Sequence, residues 1–192
     1  MFSNIISIAQ KIVYKKIASH FIIIVIIIAG LLMFYSSFQE SATMDELAHI
    51  PAGYSYLKFG DNRLNPEHPP LLKDLSAIPL LFLNLKFPID SPYWQEGVNS
   101  QWDMGRVFLY ESGNNADQII QWARIFPILL TLLTSVLVYL LAKKIVGPYW
   151  ALLPFVLFAF SPLVLAHGHY VTTDLAAAFG ALIILLFVIP KM

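Results

Sequence analysis

Asp45 and Glu46 stand side by side, with His49 one helical turn after Asp45, at the opening of a polar stretch that runs from residue 41 to residue 73. That stretch ends on Glu67-His68-Pro69-Pro70 and then Lys73. Far along the chain, Thr172-Thr173-Asp174 supplies another carboxylate behind two hydroxyls. One carboxylate can take a proton from a hydroxyl nucleophile while a second orients a sugar or a metal. An ammonium fixed at headgroup depth, as at Lys73, suits a lipid phosphate. Each piece also has a plainer reading. Ser41 and Thr43 offer helix caps, and acids in a first turn interact favourably with the helix dipole. Glu67-His68-Pro69-Pro70 reads equally as a rigid turn ahead of a helix, and a lone interfacial lysine usually snorkels. His167-Gly168-His169 has metal-ligating side chains but no third ligand at useful spacing.

The elements that must position these groups are apolar. Hydrophobic residues make up 58% of the 192-residue chain and charged residues 12%, with mean hydropathy +0.68. A soluble domain carries roughly 25% charged residues, so the composition points to an all-α polytopic membrane protein, a single membrane domain over residues 1–192. Four spans are expected, at residues 21–38, 125–142, 149–166 and 174–189, after a short basic surface helix over residues 1–19. Residues 39–124 form a long outer loop rich in Trp and Tyr, rings that favour the headgroup level; Trp94, Trp102 and Trp122 are examples. Within it, residues 71–85 are apolar but broken by Pro79, as expected of a helix lying at the interface. Net charge is zero, which gives no attraction to nucleic acid. Cysteine is absent, so disulfides and thiolate metal sites are excluded.

Basic residues set the orientation. Lys11, Lys15, Lys16, Lys143, Lys144 and Lys191 fall on one side of this four-span arrangement, which is therefore cytoplasmic. All 12 acidic residues lie in the 39–124 loop or at Asp174, on the opposite side.

The order of these pieces resembles the GT-C glycosyltransferases of the protein-O-mannosyltransferase type. The resemblance rests on a first span followed by Asp45-Glu46, Gly53, Tyr56-Leu57, Glu67-His68-Pro69-Pro70-Leu71 and Lys73. It continues through Ala123-Arg124, Lys143-Lys144, Gly147, Ser161-Pro162 and His167-Gly168 to Thr172-Thr173-Asp174. It implies an inverting transferase that moves a sugar from a polyprenyl-phosphate donor to a protein, lipid or glycan acceptor. The expected place is the outer face of a bacterial plasma membrane. By resemblance, Asp45 is the base, and Glu46 and Asp174 line the same cavity together with His49, Glu67 and His68. Lys73 matches a lysine that holds the donor phosphate in the aminoarabinose-transferase branch. The resemblance leaves the sugar and any divalent-cation requirement open. Such proteins run to further spans and an outer domain, so the chain is expected to be an amino-terminal part. Two rivals remain: a small transporter using the acids as an ion relay, which predicts acids buried at mid-span, and a non-catalytic assembly subunit.

Overall fold

The computed structural model describes residues 2–189, with side chains from residue 16 onward; Lys11, Lys15 and Lys191 of the expected basic face lie outside the described side chains. The fold is all-α, and no strand occurs among the described residues. Helix α1 is Phe2–Ser37. It runs unbroken where a surface helix and a separate span were expected, because no proline, and no glycine before Gly30, interrupts it. Its stretch Lys16–Ser37 has a mean hydropathy of 2.8 and is long enough to cross a membrane. Ile23, Ile24, Ile27 and Leu31 stand exposed along it, as lipid-facing side chains would.

The long segment after α1 is built of short helices: α2 (Met44–Phe59), α3 (Leu71–Ala77), α4 (Pro92–Gln95), α5 (Gln101–Arg106) and α6 (Ala116–Ala123). A 3₁₀ turn, Ile78–Phe82, continues α3, so the proline-broken segment tightens at Pro79. α2 lies at the centre of this layer. Gly53 lets the backbone of α3 approach at Lys73, where a Cβ would collide with the Lys73 carbonyl. Gly105 of α5 likewise sits against the Leu47 carbonyl, the one that Pro51 leaves without its in-helix donor. Ile50 and Tyr54 of α2 bury against Leu80, Phe108, Ile119, Ile120 and Val171 to form the core of this layer.

Helix α7 (Ile125–Trp150) continues past residue 142, through Lys143-Lys144, to a kink at Gly147, whose φ of 83° suits glycine. Ala116–Trp150 is the second stretch long and apolar enough to cross a membrane. The expected span at 149–166 instead comprises the end of α7, α8 (Leu152–Ala159) and α9 (Pro162–His167). It breaks at Ser161, whose extended ψ of 126° is the conformation that the following proline enforces. Helix α10 (Thr173–Val188) is apolar but shorter than the first two stretches. Val25 of α1, Tyr139 of α7 and Phe155 of α8 form the core between the long helices.

Candidate active site

The first turn of α2 is fixed by a capping box. Thr43 caps it through its side-chain oxygen, and the Glu46 carboxylate accepts the Thr43 backbone N–H at 2.9 Å. That carboxylate is fully buried. Arg124, at the junction of α6 and α7, donates Nε to Oε1 at 2.8 Å and Nη2 to Oε2 at 2.7 Å. The remaining guanidinium N–H groups reach the backbone carbonyls of Ser37, Glu40 and Ser41, where α1 ends. All five donors of Arg124 are thus used. The Val171 N–H donates to Glu46 Oε1 at 3.2 Å, adding the segment that leads into α10. A second cluster supports the first: Glu40 accepts from Tyr170 Oη at 2.6 Å and pairs with the His169 ring at 2.9 Å. Burial works to raise the Glu40 carboxyl, but hydrogen bonds from Tyr170, His169 and Ser36 outweigh it and bring it down to about 2. The same contact and burial push the Tyr170 phenol up to about 12.

This hub fixes the backbone on either side of Asp45 and Asp174. Asp45 precedes Glu46, and Asp174 follows Val171 by three residues. Both carboxylates are exposed, and neither makes an ion pair or hydrogen bond among the described residues. Together they line a polar cavity of about 120 Å³, whose other walls include His49, His68, Gln101 and Trp102. They also line a larger apolar groove of about 490 Å³, with Phe158, Leu163, Val164, Leu175 and Ala178. The two carboxylates stand where cavity and groove meet.

Three site residues differ from expectation. Glu46 does not line the cavity, because the pairing with Arg124 draws its carboxylate inward. Lys73 does not line it either. Its ammonium is 1% exposed and donates to Asn65 Oδ1 (2.6 Å), to the carbonyls of Asn65 and His68 (2.9 Å each) and to Tyr56 Oη (3.3 Å). Burial lowers it to about 8, against the pull of Asp74 and Glu67, so it remains mostly protonated at neutral pH. Glu67 is exposed and acts at one remove, accepting from Gln101 Nε2 at 2.6 Å. His49 and His68 line the cavity, packed edge to face with ring centroids 5.4 Å apart. His167 borders the groove, whereas His169 turns into the Glu40 cluster. No group of three His, Asp or Glu side chains suited to a metal ion occurs among the described residues.

Sequence reasoning missed Arg124 as a site residue, although an arginine at the mouth of an apolar helix is a signal of the same kind as the acids. It also set Trp102 among headgroup-level rings, and the structure puts it in the cavity wall.

The chain is all-α, with two helices long and apolar enough to cross a membrane, and the Asp45 and Asp174 carboxylates stand together at the meeting of a polar cavity and an apolar groove. Residues 22–189 match the family model described as dolichyl-phosphate-mannose-protein mannosyltransferase, and the chain belongs to that family. It is therefore a glycosyltransferase-family membrane protein. No curated protein and no solved structure matches the chain.

Proposed function

We propose that the protein transfers a sugar from a polyprenyl-phosphate donor to a hydroxyl acceptor, with Asp45 as the base. The observation that carries this reading is the shared position of Asp45 and Asp174 between a polar cavity and an apolar groove. A donor of this class is apolar at one end and polar at the other. Its chain suits the groove, its glycosyl unit suits the cavity, and its phosphate falls near the junction. Asp45 takes the acceptor's proton as the hydroxyl oxygen bonds to the anomeric carbon from the opposite face. The bond from that carbon to the phosphate oxygen breaks, and the phosphate leaves with the electron pair, giving inversion. Asp174 orients the acceptor or the sugar. Glu46 and Lys73 are positioning residues in this scheme: Glu46 holds Asp45 and the 171–174 segment together, and Lys73 holds the 65–68 segment that carries His68. The family's description supplies mannose and a protein acceptor as the first compounds to try.

The charge distribution supports an orientation with this site on the outer face. Lys16, Lys143 and Lys144 lie toward the opposite ends of the long helices from the acids. A bacterial plasma membrane is the proposed setting. Membranes bearing the protein, given labelled polyprenyl-phosphate mannose and a serine- and threonine-containing peptide, test the reading. Transfer that disappears in Asp45→Asn, while donor binding persists, supports it; equal transfer by that variant removes Asp45 as the base.

A further inference from the structure

Within the cavity one side chain has no role so far. His49 is 5% exposed, and its Nδ1 is buried without a hydrogen-bond partner although Asn65 bonds the ring. Leaving such a group unsatisfied is costly, and native structures seldom do so without a reason. The surroundings do not supply a partner for Nδ1. Across the ring stands His68, held through its own backbone by Lys73. Gln101 is committed at both ends of its amide, to Asn65 on one side and to Glu67 and Asn99 on the other. Trp102, 45% exposed, offers an indole to the same space, and Thr172 and Thr173 add hydroxyls. An aromatic ring, carboxylates and an imidazole with one unpartnered nitrogen around a small polar space match a sugar ring, with its apolar face and its rim of hydroxyls.

We propose that His49 selects the sugar, its imidazole hydrogen-bonding one ring hydroxyl of a glycosyl unit held in the cavity against Trp102. This rests on the proposed transfer reaction and assigns within it the residue that reads the sugar. Burial lowers His49 to about 4, with Lys73 and His68 adding to that and Asp45 and Asn65 opposing it. The ring is therefore neutral at physiological pH and offers one donor and one acceptor.

The test pairs His49 variants with a series of polyprenyl-phosphate hexoses, each lacking a single hydroxyl, in membranes bearing the whole protein. His49→Leu keeps the bulk and removes both nitrogens; His49→Asn and His49→Gln restore an amide near Nδ1 and Nε2 respectively. Loss of one such bond is expected to lower kcat/KM about tenfold. For one deoxy donor, wild type should show the same loss and His49→Leu no further loss, and one of the two amide variants should recover part of the activity on the complete sugar. Losses that multiply for every deoxy donor would overturn the assignment of His49 while leaving the transferase reading intact. If wild type transfers no sugar from any of these donors, both fall. If His49→Leu does not accumulate in the membrane, the wild-type deoxy series and the amide variants decide in its place: an even response to all hydroxyls overturns the proposal, and a single sensitive position whose penalty vanishes in the amide variant that does not recover activity on the complete sugar upholds it.

Discussion

Asp45 and Glu46 are neighbours in sequence and differ in almost every physical respect. Glu46 turns into a closed region where Arg124, Thr43 and Val171 satisfy its oxygens and no water reaches it. Asp45 turns the other way, into an open region where it makes no hydrogen bond or ion pair among the described residues. The closed region ties together the end of α1, the start of α2, the start of α7 and the approach to α10. The open one lies between the start of α2, the 172–174 segment and α10, with α5 and His68 on its polar side and α8 and α9 on its apolar side. Saturating one carboxylate while leaving the next unpaired separates holding from reacting, since a base already engaged by an arginine is a poor proton acceptor. Glu40 and Asp174 repeat the division: one is bound by Tyr170 and His169, the other is open to cavity and groove.

That division can be broken from either side. The largest effect is expected in the open region. Asp45→Asn keeps size and removes proton acceptance, so transfer should fall roughly 10²–10⁴-fold, while the melting temperature of the detergent-extracted protein stays where it was. A large drop in that melting temperature would put Asp45 among the holding groups. In the closed region the signs reverse. Arg124→Ala strands a buried carboxylate and should cost about 3–5 kcal/mol of stability, read as lost accumulation in membranes and lower thermal resistance. Removing the charge from both members together, as in Arg124→Met with Glu46→Gln, should recover part of that loss without restoring full activity.

A smaller effect is expected where α2 and α3 touch. Gly53→Ala pushes a methyl group into the Lys73 backbone and should cost roughly 1–3 kcal/mol, together with weaker donor binding as the 65–68 segment shifts. Unchanged melting would mean that α3 slides freely on α2. The smallest effect is a slope with pH. Glu40 sits at about 2 in the folded protein against an ordinary 4.5. Its contribution is therefore complete above about pH 4.5 and is lost as pH falls toward 2. Glu40→Gln should melt lower than wild type at pH 6 and converge with it under acid. Parallel curves for the two proteins would show that this cluster does not hold Glu40 ionised.

Much of this was legible in the chain. The apolar runs and the capping pattern at Thr43 follow from local rules of length and spacing. Composition, likewise, sufficed for an all-α membrane protein. The breaks at Gly147 and Ser161 were punctuated by glycine and proline, although the length of α7 was set by helical continuity through Lys143-Lys144. Tertiary structure alone decided which way each polar side chain turned. Asp45 and Glu46 have near-identical chemistry and adjacent positions, so no sequence rule separates them. The separation comes from Arg124, 78 residues beyond Glu46, which pulls one inward. Lys73 was read as a phosphate ligand on its charge, yet Gly53 brings its backbone so close to α2 that the ammonium is captured by Asn65 and the His68 carbonyl. A side chain's type states what chemistry it can do. Whether it is left free to do it depends on the partners that the folded chain brings within about 3 Å.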